Sequence, residues 1–207
     1  MFILFFIVKI IASVIYLPLE TRTLRGKRVG LHGFGSIARE LVRMLRGFGV
    51  EVAACSHGVP VSLFAAHGVR HCSSLAELFS TSDVLIECEA LTSRSQGTVD
   101  ASVLRCLPEG AVFVNVGRGH VVDEDALIRV AGEKNLRLGL DVYREEPLPV
   151  SSPLRQLPLT LLSPHIAGPA QDAFADLCKF ALANLERYLR GEAIAAEVSL
   201  EIYDRAT

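Results

Sequence analysis

The stretch KRVGLHGFGSIARELVRMLRGFG, residues 27–49, decides the fold. Lys27 to His32 is a short apolar run ending at glycine, the pattern of a buried strand. From Ser36 to Phe48, Ile37, Leu41, Met44 and Leu45 recur at helical spacing, and Gly49 offers a stop. Between the two elements, Gly33-Phe34-Gly35-Ser36-Ile37-Ala38 fits the pattern G-x-G-x-x-G/A. The chemistry behind this pattern is specific. The first glycine makes a tight turn, the second lets a pyrophosphate reach the backbone, and a small third residue lets helix and strand pack closely. Ser36 and Ile37 then open a helix whose unpaired N–H groups would face phosphate charge. A glycine turn alone is a weak signal. A strand before it and a helix after it make it a candidate dinucleotide loop.

The rest of the chain repeats the alternation. Strands are expected at 50–54, 83–86, 111–116, 136–142 and 159–162. Helices are expected at 62–67, 74–80, 101–107, 123–134 and 171–189. The segment from Tyr143 to Pro158 carries four prolines and reads mostly as loop. Alternating strands and helices specify a doubly wound α/β fold, a parallel sheet covered on both faces in the Rossmann manner. No internal repeat or low-complexity tract is visible.

The length of 207 residues fits one domain, or one domain plus a fragment. A formal net charge of −2 provides no basic excess for phosphate backbones, which argues against a nucleic-acid partner. The five cysteines are odd in number, widely spaced and free of any Cys-x-x-Cys. That argues against a zinc site or disulfide framework and for buried free thiols in a reducing, cytoplasmic compartment. The opening MFILFFIVKIIASVIYL, residues 1–17, admits three readings. It is short for a membrane anchor and carries Lys9. It lacks a clear cleavage site for a signal peptide. The third reading, a remnant of a larger domain, is favoured by the residues beyond Leu24.

The dinucleotide pattern expects an acid about 20 residues beyond the glycines, for the adenosine ribose. The end of the second strand reads Ala54-Cys55-Ser56-His57 instead. A hydroxyl and an imidazole would not repel a 2′-phosphate, so Ser56 and His57 lean the expectation toward NADP(H) over NAD(H).

Three further stretches complete a constellation: Asn115-Val116-Gly117-Arg118-Gly119, Asp141-Val142-Tyr143-Arg144-Glu145-Glu146-Pro147 and Ser163-Pro164-His165-Ile166-Ala167-Gly168. With the glycine loop and DVLIECEALTSRSQG (residues 83–97), they resemble the D-isomer-specific 2-hydroxyacid dehydrogenases from about Leu24 to the C-terminus. The resemblance implies residue roles. Arg118 would bind a substrate carboxylate and polarise its 2-oxo group, work that suits a planar, permanently charged guanidinium. His165 would be the general acid in reduction and the base in oxidation. Glu146 would hydrogen-bond His165, orienting the imidazole and favouring its protonated form. Asp141 matches a position near the nicotinamide carboxamide. Ala90 stands where the family commonly has proline, Gln96 where it has arginine, and Ser56 where it has aspartate.

The resemblance also implies an organisation. Residues 1–24 would be a hydrophobic remnant of a substrate domain, and residues 25–170 the dinucleotide-binding domain. Residues 171–207 would be a helix and tail returning toward the substrate domain, whose N-terminal lobe is largely absent from this sequence. The expected activity is hydride transfer between NAD or NADP and a small D-2-hydroxyacid or 2-oxoacid, in a homodimer without a membrane role. Two alternatives stay open: a nucleotide-binding module like the family's corepressors, and an inactive, truncated cofactor domain.

Overall fold

The protein, seen in a computed structural model, is described over residues 23–168, 173–198 and 200. The hydrophobic opening at 1–17 and the first residues of the helix expected from Gln171 lie outside them. The strands are β1 (Arg28–His32), β2 (Glu51–Cys55), β3 (Arg70–His71), β4 (Val84–Glu87), β5 (Val112–Asn115), β6 (Arg137–Leu140) and β7 (Thr160–Leu162). The helices are α1 (Ser36–Leu45), α2 (Val61–Ala66), α3 (Leu75–Ser80), α4 (Ala101–Leu104), α5 (Glu124–Glu133) and α6 (Phe174–Leu189). All seven strands pair in parallel, in the order β3-β2-β1-β4-β5-β6-β7. This is the expected doubly wound sheet. Its order reverses between β1 and β4, the switch point at which open parallel sheets bind ligands.

The sheet is buried on both faces because its strands carry apolar residues at both parities. Val29, Leu31, Ala54, Val84, Ile86, Val112 and Val114 point to one core, where α1 adds Ala38, Leu41, Val42 and Leu45. The intervening Ala53, Leu85, Phe113, Leu138 and Leu140 point to the other, packed by Leu78 and Phe79 of α3 and by Ala126, Leu127 and Val130 of α5. Such double-sided burial is why these strands read as continuous apolar runs. Gly30 is required by this packing. A Cβ there would lie 2.1 Å from Ser82 Oγ and 3.2 Å from Leu78 Cδ1.

Several details differ from the sequence expectation. β3 is an extra strand of two residues, Arg-His, too short to show a period. The helix expected at 101–107 ends at Leu104. The proline-rich segment contains a 3-10 turn, Pro153–Gln156, started by Ser152, whose Oγ accepts the Leu154 N–H. The expectation of buried thiols holds for Cys72 alone. Cys55, Cys88 and Cys106 are partly buried and Cys178 is exposed, because α6 buries none of its residues.

Candidate active site

Register brings His32, Cys55, Glu87, Asn115, Leu140 and Leu162 to the carboxyl ends of neighbouring strands. Every candidate residue lies beyond that edge, on a loop or, for Ser36 and Ile37, in the first turn of α1.

After β1, Gly33 adopts φ +94°, a conformation that favours glycine, and a Cβ on it would lie 2.7 Å from Glu89 N. Gly35 is the N-cap of α1, with no side-chain cap and open space where its Cβ would be. Gly35 and Ser36 are exposed and Ile37 is half-buried, while Ala38 is buried against the sheet. The loop therefore has the shape its sequence predicts: one glycine forced by the turn, one left open above a helix N-terminus, and a small residue at the packing contact. This backbone fits a pyrophosphate.

After β5, Asn115 clips the next loop. Its Oδ1 accepts the Gly117 N–H at 3.1 Å and its Nδ2 donates to Arg118 O at 3.3 Å. Gly119 admits no side chain, since a Cβ would lie 2.0 Å from the Tyr143 carbonyl. Between these two constraints Arg118 projects exposed, with Nη1 donating to Gly117 O at 2.8 Å.

After β6, Asp141 is buried to 1% exposure. Its Oδ1 accepts Ser163 Oγ at 2.6 Å and Ile166 N–H at 2.9 Å, and its Oδ2 accepts Ala167 N–H at 2.8 Å. The carboxylate thus ties down both flanks of His165. Tyr143 adds a second tie, its hydroxyl 2.8 Å from Ser163 O and accepting the Ser163 N–H at 3.1 Å. Burial pushes the Tyr143 phenol up to about 12, so it remains protonated and able to donate.

Glu146 and His165 meet, with Nδ1 to Oε2 at 2.6 Å. Glu146 Oε1 accepts the Tyr143 N–H at 3.0 Å, which fixes the carboxylate against its own loop. Burial pushes the Glu146 carboxyl up. The His165 hydrogen bond, the Tyr143 N–H and the nearby charges of His165 and Arg118 outweigh it and hold the group below its ordinary value. With Nδ1 engaged, Nε2 is the ring nitrogen left to face a reacting oxygen. A cavity of about 460 Å³ opens here, lined by Tyr143, Glu146, Arg155 and His165. The His165 side chain is 46% exposed.

A second cavity, of about 300 Å³, lies beyond β1, β2 and β4 and includes Ser56 and His57. It is also lined by His32 and Glu89, to which no sequence motif gives a role. His32 and Glu87, paired across adjacent strands, form a buried ion pair through Nδ1 and Oε2. Burial pulls the His32 imidazole down, but Glu87 and Glu89 outweigh it and hold its pKa above the ordinary value. Ser56 Oγ donates to Glu89 Oε2 at 2.9 Å. The lack of an acid at the end of β2 is what leans the sequence toward NADP(H). A carboxylate is nonetheless present in this cavity, contributed by the loop after β4. No spacing rule connects Ser56 to a residue 33 positions on. Among the described residues no group of His, Cys, Asp and Glu is arranged to hold a metal ion.

A doubly wound sheet with a pyrophosphate-shaped glycine loop at its switch point, and a carboxylate-paired histidine on the same edge, has the architecture of a dinucleotide-binding domain. Residues 16–167 match the NAD-binding domain of the D-isomer-specific 2-hydroxyacid dehydrogenases, and the chain belongs to that family. It is 33% identical over 173 residues to a human glyoxylate reductase/hydroxypyruvate reductase, covering 83% of this chain and 53% of that protein. It is 31% identical over 177 residues to an Arabidopsis thaliana glyoxylate/hydroxypyruvate reductase, covering 85% and 53%. Its fold superposes at a TM-score of 0.80 on a D-isomer-specific 2-hydroxyacid dehydrogenase from Xanthobacter autotrophicus, solved with NADPH and MES. That match has 27% identity and covers 96% of this chain and 87% of the other. The chain spans about half the length of the curated relatives it matches.

Proposed function

We propose that this chain is the cofactor-binding, proton-transferring part of an oxidoreductase that interconverts a small 2-oxoacid and its D-2-hydroxyacid. The observation that carries this reading is the 2.6 Å contact between His165 and Glu146 at the carboxyl edge of the sheet. The glycine loop lies on the same edge.

Gly33, Gly35, Ser36 and Ile37 would hold the dinucleotide pyrophosphate, and Ser56 and His57 would lie toward its adenosine. The bound nicotinamide donates or accepts the hydride. Arg118 would grip the substrate carboxylate through its fork of N–H donors and draw charge from the 2-oxo group. His165 would deliver a proton from Nε2 to the developing alkoxide in reduction and remove it in oxidation. Glu146 would hold the ring and offset its positive charge. Asp141 would fix the His165 loop and border the nicotinamide carboxamide.

The glyoxylate and hydroxypyruvate reductases among the relatives favour a short substrate of that kind. We also propose that α6 returns to a substrate lobe or to a second copy in a homodimer. Phe174, Leu177, Leu185 and Tyr188 share one exposed helical stripe. The same exposure, with a half-exposed His165, favours one competing reading: a cofactor domain that binds nucleotide without turnover until that stripe is covered. The five unpaired thiols suit a reducing, cytoplasmic setting. No helix among the described residues is long and apolar enough to cross a membrane.

The test is NADH and NADPH oxidation by the purified chain with a panel of 2-oxoacids, beside His165→Ala. Turnover lowered at least about 100-fold in the variant, with cofactor affinity kept, is the expected result. Unchanged turnover in His165→Ala would remove the histidine from the mechanism. Cofactor binding without any turnover would favour the competing reading.

A further inference from the structure

The cavity beyond β1, β2 and β4 contains a carboxylate that the proposed chemistry does not use. Glu89 is half-buried there beside His32, Ser56, His57 and Arg94. Its position is set from three sides. Its N–H donates to Glu87 Oε1 at 2.8 Å, and Glu87 is itself wholly buried and paired with His32. Its backbone abuts the first glycine of the phosphate loop, where a Cβ would come within 2.7 Å. Its Oε2 accepts Ser56 Oγ at 2.9 Å, and its Oε1 accepts Ala90 N–H at 3.1 Å.

In this fold the pyrophosphate rests on the α1 N-terminus and the adenosine ribose reaches toward the end of β2. Ser56 marks that end, and Glu89 touches Ser56. An ionised carboxylate has about four lone-pair sites. Two are taken by Ser56 and Ala90, which leaves enough to accept both hydroxyls of a ribose diol. A 2′-phosphate would instead bring about −1.5 to −2 charges against a fixed negative group. Arg94 faces the same cavity and is exposed, so water screens its pull on a phosphate, and the buried His32 is already paired with Glu87.

We infer that Glu89 is the adenosine-ribose carboxylate of this protein, supplied from the loop after β4 in place of the end of β2, and that it selects NAD(H) over NADP(H). This rests on the reading of the chain as a dinucleotide-binding domain. Ser56 is then a positioning residue: its hydroxyl donates to the Glu89 carboxylate and restrains it in the cavity.

The experiment is direct binding of NADH and of NADPH to the full chain, followed by nucleotide fluorescence, for the native protein, Glu89→Gln and Arg94→Ala. The native protein should bind NADH at least about tenfold more tightly than NADPH. Glu89→Gln should narrow that ratio by a similar factor, chiefly by gaining NADPH affinity. Equal affinities in the native protein, or a ratio unmoved in Glu89→Gln, would overturn the assignment while leaving the dinucleotide reading intact. Tighter NADPH binding that is lost in Arg94→Ala would give the pocket to the phosphate and overturn it too. Failure of a folded native protein to bind either nucleotide would overturn both.

Discussion

At the residue scale, Asp141 and Glu146 are both carboxylates beside His165, and their environments give them different work. Asp141 is sealed from water and spends both oxygens on the loop that carries the histidine. Asp141→Asn keeps one acceptor and loses the other, leaving a buried N–H unsatisfied. A loss of about 1–3 kcal/mol of stability is expected, read from urea unfolding. Glu146 is partly exposed and titrates in contact with the ring. Its folded pKa is depressed below the ordinary 4.5. Its contribution to stability is therefore present above that value and is lost as pH falls through the depressed one. In Glu146→Gln the urea midpoint should fall less between neutral pH and the acid range than in the native protein. An identical acid dependence in the two proteins would contradict the depressed value.

At the scale of elements, the site depends on close backbone docking between loops that follow different strands. The 117–119 loop sits on Tyr143 and Arg144 with no room for a methyl group, since a Cβ at Gly119 would fall 2.0 Å from the Tyr143 carbonyl. Arg144 is pinned in turn to the start of α5, through Glu124 and Asp125. Gly119→Ala should therefore separate Arg118 from the His165 loop and cost roughly 1–3 kcal/mol or more. Both are measurable, as a lowered thermal midpoint and as weaker substrate binding with NADH affinity retained. Gly35→Ala is the contrasting case. Open space surrounds that position, so its effect should fall on dinucleotide affinity and leave stability within about 0.5 kcal/mol.

At the scale of the whole molecule, the cores on the two faces of the sheet are closed and α6 is not. Its stripe of Phe174, Leu177, Leu185 and Tyr188 is 45–72% exposed. Apolar surface of this kind associates in water. Leu185→Glu should reduce concentration-dependent self-association in sedimentation velocity and leave the urea midpoint within about 0.5 kcal/mol, because Leu185 is 54% exposed. Association that persists unchanged would place the contact elsewhere on the molecule.

The sequence alone determined the architecture and half of the site. Apolar runs and 3.6-residue stripes are local signals, so β1, α1 and the sheet they belong to were legible from Lys27 to Gly49. The glycine loop was legible because each of its small residues answers a local steric demand. Arg118, Glu146 and His165 were legible through their family motifs, each beyond a strand end. The Glu146–His165 contact itself spans 19 positions and exists only because β6 and β7 lie side by side. The tertiary structure alone decided the other end of the cofactor cavity. His32, Glu87, Ser56 and Glu89 come from β1, β4 and the loops after β2 and β4, and no period relates them. Parallel pairing of β1 with both β2 and β4 brings them together, so that a carboxylate that reads as an ordinary loop residue comes to rest against Ser56 in the cofactor cavity.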